Sequence, residues 1–344
     1  MTTTTSRTRI VAFAVTVGVA LVVAVVAVVL GAGGKTPVAA SASAARVPVS
    51  RALLDAPHVV YRNTARGADY GRVAIVPLAH PATRPAITGL TCDRVYVAGG
   101  RGLCLFANRG VITTYKGVIF DARTFRPQHT FSLPGNPSRA RVSPDGRLVA
   151  YTVFVIGDGY GSQGFSTRTF VREATSGREV AQLEHFTTYR DGHVIHAADF
   201  NFWGVTFAPD DNRFYATLGT AGKTYLVQGD LARRQVKVLT DGVECPSLSP
   251  DGTRIAFKQR EGGGIGPVHW RPAVLDLATL RRHVLADTRN VDDQIEWYDN
   301  DHVSYGLPQN ASSPVTDIWK LPAAGGGRPE RVLADAWSPA VVRG

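Results

Sequence analysis

Runs of lysine and arginine are missing from this sequence. Its net charge of +10 is carried by scattered arginines, no nucleic-acid-binding motif accompanies them, and nucleic acid is set aside as a partner. A nucleophile elbow is missing as well. That turn needs G-x-S-x-G so that small residues permit a strained backbone, and Gly159-Tyr160-Gly161-Ser162-Gln163-Gly164 puts Tyr160 where glycine is required. Ser162 therefore reads as a loop serine. Gly34-Lys35-Thr36 resembles the tail of a phosphate-binding loop, but Val29 occupies the place of the glycine that would let backbone amides wrap a phosphate. No catalytic residue is legible, and no cofactor is expected. Cysteine is scarce: the three present, Cys92, Cys104 and Cys245, cannot all pair within one chain.

What is present fits a folded, exported protein. With 44% apolar and 19% charged residues the chain can bury a core and is not disordered as a whole. Arginine greatly exceeds lysine, and Ala, Gly, Pro and Val are abundant, the usage of a GC-rich genome such as an actinobacterium's. Residues Ile10 to Leu30 carry no charge. About 20 apolar residues span a hydrocarbon core of roughly 30 Å, so residues 10–32 are expected to cross the cytoplasmic membrane. Arg7 and Arg9 precede this run, which places residues 1–9 in the cytoplasm and the remainder outside the cell membrane. A cleaved secretory signal is the rival, given Ala40-Ser41-Ala42. The apolar run is long for one, and that site lies well beyond it, which favours an uncleaved single-pass anchor. Residues 33–56, rich in Ala, Gly, Ser and Pro, read as a flexible tether, and residues 57–344 as the folded domain.

That domain is repetitive. Ala140–Phe154, Val205–Leu218 and Pro246–Arg260 share a short apolar stretch, a Ser/Ala-Pro-Asp turn and an alternating strand. Pro144, Pro209 and Pro250 end the first strand, while Asp145-Gly146 and Asp251-Gly252 favour the positive φ of a tight hairpin. Asp145 and Asp251 are turn-formers on this reading. A third alternating strand and a short polar one follow each hairpin, and four strands make a propeller blade. Weaker copies begin at Asp93 and Gln294. The first unit, Val59–Leu78 with the run near Ile87, lacks its inner strand, whereas Ala336–Val342 reads as an inner strand without its hairpin. Joining the two closes a ring of about six blades and leaves no sheet edge between the termini.

The S-P-D-G-x-x-[IL]-A-[FY] pattern at Ser143–Tyr151 and Ser249–Phe257, with the strand at Asp317–Trp319, resembles the repeats of TolB and related periplasmic propellers. The resemblance covers most of residues 58–342. It implies an all-β, six-bladed propeller, here without the α/β domain that precedes TolB's, and it says little about function, because one fold carries many activities.

The segment from His185 to Trp203 stands apart as a long connection between the third and fourth blades. Long loops without regular structure tend to be functional or disordered. It carries His185, Tyr189, Asp191, His193, His196, Asp199 and Trp203 as candidate ligand-binding residues, joined by Asp158 and Tyr160 of a Gly-rich loop expected on the same rim. His193, His196 and Asp199 are the candidate metal ligands, provided the two histidines share one face of a helical turn; aromatic packing that merely stiffens the loop is the plainer account. A hairpin turn near Gly100 would set Cys104 opposite Tyr96, too far from Cys92 for a disulfide unless the chain bends back there. A Cys92–Cys104 bond thus stays open, and Cys245 reads as a small buried apolar residue. The expected function is a tethered binding or scaffold module for an envelope protein, peptide or glycan. A metal-dependent lyase or hydrolase near His193 and His196 is the alternative, and a subunit docked on a larger membrane complex is a third reading.

Overall fold

The computed structural model describes residues 47–155, 166–262 and 268–343. The expected membrane segment lies outside them, and no described helix is long and apolar enough to cross a membrane.

A short helix α1 (Arg51–Asp55), capped by the Ser50 hydroxyl, leads into the sheets. Blade 1 begins with β1 (His58–Asn63), β2 (Arg72–Pro77) and β3 (Ala86–Thr91). Blade 2 is β4 (Arg94–Ala98), β5 (Arg101–Arg109), β6 (Thr113–Asp121) and β7 (Pro127–Leu133). Blade 3 is β8 (Asn136–Val142), β9 (Leu148–Val155), β10 (Ser166–Glu173) and β11 (Glu179–Gln182). Two short strands, β12 (Thr187–Arg190) and β13 (His193–Ile195), precede blade 4, which is β14 (Asn201–Phe207), β15 (Arg213–Thr220), β16 (Lys223–Asp230) and β17 (Gln235–Asp241). Blade 5 is β18 (Glu244–Leu248), β19 (Arg254–Glu261), β20 (His269–Asp276) and β21 (Arg282–Val284). Blade 6 is β22 (Glu296–Trp297), β23 (His302–Pro308), β24 (Thr316–Pro322) and β25 (Glu330–Leu333). The last strand, β26 (Ala336–Val342), returns to β1, Val341 opposite Val59, and supplies the missing inner strand of blade 1.

The second strand of each blade is buried on both faces and is mostly apolar, whereas the outermost strands are largely exposed. Alternate residues of β1 point to opposite neighbours: Val59 and Tyr61 pack with Ile318 and Leu333 of blade 6, and Val60 with Val95 and Val97 of blade 2. Six such clusters fill the junctions between successive blades.

The turns behave as local chemistry dictates. Ser143 Oγ donates to Asp145 Oδ1 at 2.7 Å and accepts from Leu148 N at 2.9 Å, and Ser249 and Asp251 repeat the pattern with Thr253 and Arg254. Against the opposing effect of burial, these donors hold the Asp251 carboxyl well below the usual carboxylate range.

Two expectations need correction. The tight turn of blade 2 falls on Gly99-Gly100, so Cys104 lies opposite Val95, not Tyr96. The chain does bend back at Cys92, whose N–H donates to Gly71 O, and Cys92 and Cys104 form a disulfide with Cα atoms 5.4 Å apart. The segment after His185 is also not a structureless loop. β12 and β13 form a hairpin around Asp191-Gly192, with φ of 52° and 82°, and β12 lies parallel to β17 on the outer edge of blade 4.

Candidate functional site

Inner strands present alternate side chains to the ring axis. In β4, Val95 and Val97 go into the inter-blade core, so Arg94 and Tyr96 face the channel. The same period puts Arg139 and Arg141 of β8 there, with Ser247 of β18 and Glu296 of β22.

These side chains close the channel at mid-height. Arg141 Nη1 donates to Glu296 Oε2 at 2.5 Å and Arg141 Nη2 to Ser247 Oγ at 3.3 Å. Blades 3 and 6 are opposite one another in a six-blade ring, so the first bond crosses the axis. Tyr96 Oη donates to the same carboxylate at 3.0 Å and its ring lies under the Arg141 guanidinium, 4.4 Å from centroid to Cζ. Burial pushes the Tyr96 phenol up to about 12, which keeps it a neutral donor. Arg94 pairs with Asp293 at 3.0 Å. Both Arg141 and Glu296 are buried, and breaking one partner of such a pair costs about 3–5 kcal/mol because the other charge is stranded.

The plug separates two bowls. On the face of the inner hairpin turns lies a cavity of about 490 Å³, with Tyr96, Arg141 and Glu296 in its lining and Pro144, Pro209 and Pro250 among the turn residues around it. On the face of the blade-to-blade connections lies a larger one of about 740 Å³, lined by Arg94, Arg139, Lys258, Asp292, Trp203 and Trp270 among others. Only about 20 Å³ of space remains between Arg94, Arg141, Asp293 and Glu296. In the larger bowl Lys258 Nζ meets Asp292 Oδ1 at 2.5 Å and sits 4.5 Å from the centre of the Trp270 ring.

Of the residues singled out from the sequence, Asp199 and Trp203 line this larger bowl. Asp199 accepts from Ala221 N at 2.6 Å and Thr220 Oγ1 at 2.7 Å, and these bonds hold its carboxyl below the ordinary range. It pins the β15–β16 turn. Tyr189, Asp191 and His193 belong to the peripheral hairpin, four or five strand spacings from the inner strand, about 19–24 Å. His193 pairs with Arg190 in the β-ladder, Asp191 makes the turn, and His185 and His196 are exposed at the ends of the hairpin segment. His193 to Ile195 is strand, so His193 and His196 do not share a helical face, and no three His, Cys, Asp or Glu side chains gather at metal-binding distance among the described residues. Asp158 and Tyr160 lie outside the described residues.

Sequence reasoning missed Arg94, Tyr96, Arg139, Arg141 and Glu296. The available signal was charge at alternate positions of an apolar inner strand, as in Arg139-Ala140-Arg141-Val142 just before the Ser-Pro-Asp turn. It also passed over Glu184, beside His185, whose carboxylate accepts from Thr169 N at 3.0 Å. Burial between blades 3 and 4 pushes this carboxyl up to about 7.

No family model and no curated protein matches the chain. Solved structures do. TolB from Acinetobacter baumannii is 17% identical, with a TM-score of 0.57 over 83% of this chain; the chain spans 66% of that TolB, just under two thirds of its length. A chain of the nidogen/laminin complex is 12% identical, with a TM-score of 0.53 over 83% of this chain and 98% of its own. At such identities the likeness is one of fold. Repeats, ring closure and structural likeness agree: the described residues fold as a six-bladed β-propeller, similar in fold to that of TolB.

Proposed function

We propose that the protein is a membrane-tethered, extracytoplasmic binding module whose propeller receives a protein or peptide of the cell envelope in the bowl on its connection face. The observation that carries this reading is the plugged channel. Side chains from blades 2, 3, 5 and 6 lock one another at mid-height, and a cavity of about 740 Å³ with polar and aromatic walls stays open above them. Concave sites of that size on a rigid scaffold are where ligands bind. The Cys92–Cys104 disulfide supports an oxidising compartment, and the apolar run from Ile10 to Leu30 supports a tether in the cytoplasmic membrane.

The test is site-specific photo-crosslinking of the full-length protein in its own membrane. A photoreactive residue at Asn136, on the bowl's rim, should yield one or a few discrete adducts. The same residue at Arg233, in the exposed β16–β17 turn, should yield none. A smear of abundant envelope proteins from both positions would count against a dedicated site.

A further inference from the structure

We infer that the connection-face bowl is a receptor for the C-terminal carboxylate of an extended peptide, with Arg139 as its anion-binding group; this rests on the binding-module reading of that cavity. Arg139 reaches from blade 3 to blade 5. Its Nε donates to Cys245 Sγ at 3.3 Å, and its Nη1 donates to Ser138 O at 3.0 Å and Ser138 Oγ at 3.3 Å. Its Nη2 meets no acceptor among the described residues, and none of their carboxylates lies within 4.0 Å of the guanidinium. Three other cations with little exposure are matched, Arg94 by Asp293, Arg141 by Glu296 and Lys258 by Asp292, whereas Lys223 and Arg260 of the same bowl stand exposed to solvent. A guanidinium held at a cavity wall with donors to spare is completed by an anion, and a carboxylate suits its planar geometry.

The walls select which anion. Glu244 lines the same bowl and is buried, and its carboxylate takes no hydrogen bond from the described residues. Its carboxylate repels an anionic group brought directly against it but accepts from N–H groups. A peptide terminus presents both features, one carboxylate followed by backbone N–H donors. Trp203 and Trp270 supply the apolar flanks for its last side chains.

The experiment uses detergent-solubilised full-length protein and two immobilised heptapeptide pools of degenerate sequence, coupled through their N-termini, one with free C-terminal carboxylates and one amidated. Retention on the carboxylate pool should exceed that on the amidated pool at least tenfold. Arg139→Gln should abolish the difference with an unchanged unfolding midpoint, Arg139→Lys should restore part of it, and Glu244→Gln should weaken retention while keeping the preference for carboxylate. Equal retention on both pools, an undiminished preference in a folded Arg139→Gln protein, or displacement of the peptides by oligouronates would overturn the inference. If neither pool is retained while the Asn136 crosslinker still captures a partner, the carboxylate assignment falls and the binding face stands. If the crosslinker fails too, both fall.

Discussion

Asp211 occupies the place that glycine takes in two sister turns. Gly146 and Gly252 adopt φ of 77° and 72°, and Asp211 follows them at 54°, a region costly for a residue with a Cβ. Its neighbour Asp210 takes over the turn bonds, accepting from Asn212 N and Arg213 N. The turn survives the loss of glycine because its hydrogen bonds depend on the aspartate before it. Glu184 shows a single side chain tuned by burial. Its carboxyl titrates near 7 in the folded protein against an ordinary 4.5, so between those values the folded state binds the proton that the unfolded state has released. This group's contribution to stability is therefore greatest at low pH, declines as pH rises through that window, and levels off above it. Glu184→Gln removes the decline. At pH 8 the variant should be more stable than the parent by roughly 1–2 kcal/mol, screened below the ~3 kcal/mol of a fully buried group, and at pH 4.5 the two should coincide. Urea midpoints at both pH values decide the matter, and a parent–variant difference independent of pH would refute it.

Among the elements, the blades depend on aromatic rings laid over cross-strand glycines. Phe214 of β15 faces Gly229 of β16, and a Cβ on that glycine would lie 2.0 Å from the ring. Gly229→Ala should cost about 1–3 kcal/mol by overpacking. Combining it with Phe214→Leu, which withdraws the ring, should recover part of the loss. A Gly229→Ala protein with an unaltered thermal midpoint would show that the ring moves aside freely. The elements also explain what the sequence could reveal. Blade strands are legible because the Ser-Pro-Asp turns and alternating residues are local signals repeated many times over. The β12–β13 hairpin was harder to read, since strands of four and three residues are too short to display a period. Its one clear mark, Asp191-Gly192, sits among histidines that suggest other chemistry. The channel lining was hidden for a different reason. Arg141 and Glu296 are far apart in sequence, and only ring closure brings blade 3 opposite blade 6.

At the scale of the whole molecule, the ring was legible because its ends are complementary: a first unit short of an inner strand and a tail that reads as one. Residues 336–344 should therefore be indispensable. Their deletion takes Ala336 and Val341 from the core between blades 6 and 1 and bares the edge of β1. The expected outcome is a broad, non-cooperative unfolding transition and soluble aggregates by size exclusion. A monomer that unfolds as sharply as the parent at the same urea concentration would show that the blades hold without the clasp.

The same clasp imposes an order of events on biosynthesis. Val59 is made well before its partner Val341, so β1 emerges with one row of amides and carbonyls unmatched and must wait for β26 to be made. A chain arrested anywhere before Ala336 keeps that edge open and remains exposed to proteases and chaperones. Topology thereby inspects the propeller: only a molecule translated through Val342 can fasten its first blade.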